Sequence, residues 1–285
     1  MRHAIIPVMT AESTHGRAAR RPPFGRQLQH FRRQRGMSQL ALASAANVSA
    51  RHVSFVESGR ARPSRQMVLR LAESLDMPLR AQNELLHLAG FAPEFPERRL
   101  DEPALAGVRS IIVKMLRQHE PYPAFVLDRY WNIVQSNEAA AQLFTALMPP
   151  SPANAVEMFI GPGPFRQVVE NWQEVAWVTL IRLRREVTLA GGDDRLQALL
   201  TRAEELAADL EPLNSVDTDA PTVMARLQLG GHTVNTISTI ASFNAARDVT
   251  LDELHVELIF PADDAADAFF RGLESERHRE TTERG

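Results

Sequence analysis

Residues 38–59 read SQLALASAANVSARHVSFVESG, and this stretch decides how the first third of the chain folds. Ser38 is an N-cap residue ahead of a run in which Leu40, Leu42 and Ala43 are apolar, so a helix is expected over 39–46. Asn47 suits the left-handed turn position, Ser49 caps a second helix running to about Ser58, and Gly59 ends it. Two short helices joined through Ala46-Asn47-Val48 have helix-turn-helix spacing. The turn must be tight so that the second helix stands out from its bundle. It then enters a major groove roughly 12 Å wide while the first helix lies across the phosphates. The outward face of the second helix carries Ala50, Arg51, His52 and Phe55. Its inward face carries Val53 and Val56.

The pattern continues outward on both sides. Leu28, Phe31 and Arg35 share one helical face, with Gly36 as the stop. Pro63-Ser64 opens a fourth helix bearing Met67, Val68, Leu71 and Leu75, and Pro78 opens a fifth that ends at Gly90. An all-α five-helix bundle is therefore expected over 24–90. Residues 1–23 lack apolar periodicity and read as a basic flexible arm. Pro93, Pro96 and Pro103 make 91–104 a semi-stiff linker.

Charge is unevenly shared. Residues 1–100 hold 16 Arg against 7 acids, a net of +9, whereas 101–285 carry a net of −12. Between Arg17 and Arg70 the balance is 12 Arg against one acid, Glu57. This is either a polyanion-binding head on an acidic body or a solvated basic face.

The body, 105–275, is mixed, with a short tail at 276–285. Val108, Ile111, Ile112, Met115 and Leu116 mark an amphipathic helix. Phe125-Val126-Leu127 and Trp131-Asn132-Ile133-Val134 are β-prone runs about an Asp128-Arg129 turn, followed by a helix capped by Asn137. Prolines from Pro149 to Pro164 bracket a loop-rich segment around the apolar patch 156–160. One long helix is expected from Phe165 to about Leu189 and another from Asp194 to Leu210. Val223, Ala225, Leu227 and Leu229 then alternate, Gly230-Gly231 turns a hairpin, and a strand returns over 233–241. Leu254, Val256, Leu258 and Phe260 form the apolar face of a last strand, with His255 and Glu257 opposite. These elements predict an α+β domain with an antiparallel sheet and helices packed on one face.

Several motifs resemble known families. Gly36-Met37-Ser38-Gln39, Leu42-Ala43, Val48-Ser49, Phe55-Val56-Glu57-Ser58-Gly59-Arg60 and Arg62-Pro63-Ser64 resemble the Cro/C1-type (XRE) helix-turn-helix. That resemblance implies base reading by Ala50, Arg51, His52 and Phe55, with Arg51 bidentate to guanine and the alanine and phenylalanine on thymine methyls. It implies phosphate contacts by Ser38, Gln39, Ser49, Arg60 and Arg62, and a structural ion pair between Arg32 and Glu57. The stretch from Phe125 to Ala140 resembles the first hairpin and helix of a PAS-like sensor. With the Asn154–Phe165 loop and the Asn171-Trp172 helix, the body is similar to MmyB-like regulators, whose PAS-like domain has an apolar cavity able to hold a fatty-acyl chain. Phe125, Leu127, Trp131, Ile133, Phe144 and Trp172 are then candidate pocket residues; taken singly, each reads as core ahead of ligand contact. Trp131 on a strand and Trp172 on a covering helix are expected on opposite walls, and an anionic, acyl-like ligand would set its head by an arginine.

Other chemistry finds no carrier. There are no cysteines, and the nine histidines form no HExxH, so neither metal nor cofactor is expected. Gly161-Pro162-Gly163-Pro164 lacks the lysine of a phosphate loop, and no Gly-x-Ser-x-Gly occurs, so no catalytic set is expected. No apolar run approaches 18 residues, and the first apolar stretch, broken by Pro7, is too short for a signal peptide, so a cytoplasmic protein is expected. The function expected is a homodimeric regulator of a palindromic double-stranded DNA operator, controlled by a small-molecule effector such as a fatty acid. The alternative is a DNA-binding regulator whose body only dimerises.

Overall fold

The computed structural model describes residues 23–147, 154–210, 222–243 and 246–283. The basic arm, apart from its last residue, lies outside the described residues, as does the proline-rich start of the loop segment at 148–153.

Five helices form the head: α1 (Pro23–Gln34), α2 (Gln39–Ala45), α3 (Ala50–Ser58), α4 (Arg65–Ser74) and α5 (Leu79–Leu88). Their starts are set by serines. Ser38, Ser49 and Ser64 accept from the backbone N–H groups of Ala41, His52 and Met67 at 3.0, 3.2 and 3.3 Å, each satisfying a donor that the first helical turn leaves open. Asn47 at φ 52° makes the turn between α2 and α3, and Gly59 at φ 79° ends α3. Leu28, Phe31, Leu42, Val53, Val56, Val68, Leu71 and Leu85 fill the core. α1 and α3 approach so closely that a Cβ on Gly25 would stand 2.1 Å from the Glu57 carbonyl oxygen; only glycine fits there.

The body follows as α6 (Ala106–Gln118), β1 (Ala124–Leu127), β2 (Ile133–Ser136), α7 (Glu138–Leu147), α8 (Ala155–Ile160), α9 (Pro164–Val168), α10 (Trp172–Ala190), α11 (Asp194–Leu206), β3 (Met224–Leu229), β4 (His232–Ser242), α12 (Val249–Asp252), β5 (His255–Pro261) and α13 (Asp264–Glu283). The five strands form one antiparallel sheet in the order β2-β1-β5-β4-β3. Gly230 and Gly231, both at positive φ, close the β3–β4 hairpin with Leu229 opposite His232, as the sequence predicts.

Four expectations need correction. The sheet is covered on both faces: α6 and α12 pack on Ala124, Val126, Leu254 and Val256, while α7 to α11 and α13 enclose Phe125, Leu127 and Leu227. Glu257, expected to face away from the core, is therefore 4% exposed, and Phe260, expected inward, is 40% exposed. The long helix from Phe165 is broken into α9 and α10, because Val169 bridges Leu227 and Asn171 exchanges hydrogen bonds with Met224 and Arg226 on β3. The break covers that edge strand. Trp131 lies in the β1–β2 turn at φ 63°, not on a strand; the Asp128 carboxylate accepts from the Tyr130 and Asn132 N–H groups and fixes the turn. Finally, α13 continues through 276–283, where a tail is expected.

Head and body are in contact. The stretch 91–104 is bound along its length: Asn83 grips the Glu94 and Phe95 backbone, Val249 N–H donates to Pro96 O at 2.8 Å, and Arg98 pairs with Asp248 at 2.9 Å. Arg80 of α5 pairs with Glu253 at 2.7 Å, Glu253 also accepts from Arg129, and Arg129 reaches Asp193 at 2.5 Å. On α1, Gln27 and Gln34 donate to the carbonyls of Gly191 and Thr188 at 2.8 and 2.6 Å, and the Phe31 ring lies against Gly191.

Candidate functional site

The first site is the face of α3. Arg51 is exposed and His52 half-buried. Phe55 lies between two guanidinium groups, with Arg51 5.1 Å and Arg60 5.9 Å from its ring centroid. Cation–π attraction at such distances holds both cations on one side of the helix. Phe55 thus positions charge, a contact that residue spacing alone does not reveal. Ala50 packs partly against the core. Arg60 and Arg62 are exposed beyond the helix end, and among the described residues no carboxylate pairs with Arg51, Arg60 or Arg62. Ser38 and Ser49 are occupied as caps.

Glu57 anchors this face from behind. It is 2% exposed and accepts from Arg32 Nε at 2.6 Å and Nη2 at 3.0 Å, from Gln39 Nε2 at 2.8 Å and from Gln29 Nε2 at 3.4 Å. Burial raises the carboxyl's pKa, but the bonds from Arg32 and Gln39 outweigh it and hold the group below the usual carboxylate range. Arg32 and Glu57 form a bidentate ion pair between α1 and α3. Gln39, expected on a phosphate, spends one amide N–H on Glu57, which fixes its side chain at the start of α2.

The second site is a cavity of about 250 Å³ between the sheet and the layer of α7 to α10. That lies just below the usual range for small-molecule sites, roughly 300–1,000 Å³. Phe125, Trp131 and Phe144 line it; Leu127, Ile133 and Trp172 belong to the surrounding core without lining it. Trp172 instead donates its indole N–H to Phe159 O at 2.9 Å and stacks under Arg166 at 3.7 Å, so the two tryptophans are not opposite walls.

One end of the cavity is polar, and its charged and hydroxyl residues are not among the pocket residues expected from the sequence. Arg182 donates from Nε to Glu186 at 3.0 Å and from Nη1 to Glu257, with its guanidinium 4.4 Å from the Trp131 ring. Ser238 donates to Glu257 at 2.6 Å, and Trp131 Nε1 donates to Glu186 at 2.7 Å. The available signal was on α10: Thr179, Arg182 and Glu186 recur at helical spacing beside the buried stripe Ala176, Leu180 and Leu183,.

Among the described residues no group of three or more metal-binding side chains is found, and no helix is long and apolar enough to cross a membrane. Compared with known families, residues 23–86 match a helix-turn-helix domain and residues 108–273 match the MmyB-like transcription regulator ligand binding domain. No curated protein matches the chain.

Proposed function

The chain belongs to the MmyB-like transcription regulators, and from that premise we propose that it is a homodimer reading a palindromic operator under the control of an apolar or amphipathic, fatty-acyl-like effector. DNA binding and a ligand-binding body come with the two domains themselves, and both are regulator domains rather than enzyme domains. The finer reading rests chiefly on α10. This helix lines the cavity with Val175, Thr179 and Arg182 and, two turns on, accepts Gln34 of α1 through Thr188 O.

α1 carries the signal across the head. Gly25, Gln29 and Arg32 face α3, while Gln27, Phe31 and Gln34 contact the body. Each member of the second set follows one of the first by two residues, about 200° around the helix. An effector that binds one placement of α10 better than another therefore shifts the placement of α3 by its differential affinity.

Arg51 is assigned to a base edge, with His52, Ala50 and Phe55 around it, and Arg60, Arg62, Ser38, Gln39 and Ser49 to the backbone. One such helix reads few base pairs, so two heads roughly 34 Å apart supply the affinity. The test begins with operator selection from random duplexes. Arg51→Ala is expected to cost about 1–3 kcal/mol at one base per half-site and relax specificity there. Arg62→Ala is expected to weaken all duplexes alike and lower the salt slope by about one. Equal losses on operator and random DNA would overturn the assignment. Operator affinity and tryptophan fluorescence that ignore every acyl amphiphile would leave a body that only dimerises.

A further inference from the structure

The polar end of the cavity has no net positive charge to offer. Arg182 is bound by two carboxylates, Glu186 and Glu257. The charged side chains that line the cavity, Arg182 and Glu257, sum to zero. A ligand carboxylate brought to Arg182 Nη2 would stand beside the Glu257 carboxylate, itself 4% exposed, on a guanidinium whose charge that residue already balances, so burying a second anion there is strongly unfavourable. An ammonium would meet the Arg182 guanidinium at the same place.

The hydrogen-bonding inventory points the same way. Glu257 has one oxygen on Arg182 and the other on Ser238. The Ser238 hydroxyl has donated its proton to that bond and retains acceptor lone pairs. The Thr179 hydroxyl likewise donates to Val175 O at 2.8 Å and keeps its lone pairs. Arg182 Nη2 makes no hydrogen bond among the described residues, its Nε and Nη1 being engaged. Ser238, Thr179 and Arg182 all line the cavity. The end of the cavity therefore presents acceptors and one donor within a closed charge network.

Resting on the reading of this cavity as the effector site, we propose that the effector carries an uncharged head that both donates and accepts hydrogen bonds, an alcohol or primary amide on an apolar chain, rather than a free carboxylate. Such a head bonds to Ser238 or Thr179 and to Arg182 Nη2 without breaking an ion pair. The apolar remainder lies among Phe125, Phe144, Leu227 and Phe270.

The test uses four ligands of one chain length on the full protein at pH 7 and fixed salt: decanol, decanamide, decanoate and decylamine, each below its aggregation threshold. Binding is read by calorimetry and tryptophan fluorescence. Decanol and decanamide are expected to bind at least tenfold more tightly than the two charged ligands. Glu257→Gln, which removes the negative charge and keeps an acceptor, is expected to raise decanoate affinity at least tenfold while leaving decanol within threefold. Comparable affinities, or a preference for decanoate or decylamine in the unmodified protein, would overturn the head assignment and leave the proposed function standing. If none of the four binds, the effector site itself fails, and this assignment with it.

Discussion

Replacing Glu57 by alanine tests the anchor behind the recognition helix. The change leaves Arg32, a residue 7% exposed, without its bidentate partner and takes the acceptor away from Gln39 and Gln29. Breaking a buried ion pair by removing one partner costs about 3–5 kcal/mol. A head of this size has roughly 3–10 kcal/mol of stability in all, at ~0.05–0.15 kcal/mol per residue, so most of it is expected to go. All three tryptophans lie in the body, so amide hydrogen exchange is the appropriate assay. Protection of Leu42, Val53 and Val56 is expected to fall at least a hundredfold, about 2.8 kcal/mol at ~1.4 kcal/mol per decade, with Val126 in the body little changed. The double variant Arg32→Met, Glu57→Leu is expected to recover most of the loss, since apolar replacement of a buried pair is often neutral or stabilising. The same carboxyl predicts an acid limb. A group depressed on folding stabilises above its unfolded pKa of about 4.3 and loses that contribution as the pH falls through its lower folded value. A fall in protection of less than tenfold for Glu57→Ala would refute the reasoning.

Gly191→Ala places a Cβ 2.5 Å from the Phe31 ring at φ 69°, so the contact between α1 and α10 is expected to open, and trypsin to cut after Arg98 or Arg99 faster than in the parent; unchanged digestion would count against a packed junction. Ala225→Phe fills the cavity from β3 and is expected to abolish amphiphile-induced fluorescence change while leaving unliganded DNA affinity within about twofold, or ~0.4 kcal/mol, in a gel-shift titration. Burial lowers the pKa of both His119 and His255; each therefore favours the fold above the unfolded value of about 6.5, and body stability in urea is expected to decline as the pH drops below it. A flat profile between about pH 7 and 5 would contradict that sign.

The head was legible because its signals are local: serine caps, Asn47, Gly59 and a 3.6-residue apolar period lie within 22 consecutive residues, and Glu57 stood out as the one acid in a basic span. The body was read less completely because burial there depends on partners far along the chain. β5 shows alternating polarity, which suggests one wet face, yet α10 supplies Arg182 to Glu257 from 75 positions away. The break at Val169 is likewise set by β3 and not by any proline or glycine in the helix itself. Aromatic residues near the cavity were visible by type, but type alone does not separate Trp131, which lines it, from Trp172, which is turned onto Phe159 O.

The ion-pair chain from Arg80 through Glu253 and Arg129 to Asp193 bears on how such regulators exchange parts. Arg129 is only 11% exposed at its side chain and shares Glu253 with a residue of the head. A chimera joined within 91–104 would give this body a foreign fifth helix and deprive Glu253 of Arg80, while the stretch 91–104 would lose Asn83. Residues 79–84 of α5 therefore have to travel with the sensor, and a working graft has its seam inside the helical bundle rather than in the proline-rich stretch that looks made for cutting. Portability in this architecture is a property of matched surfaces, and recombination between relatives is expected to keep Arg80 and Glu253 together.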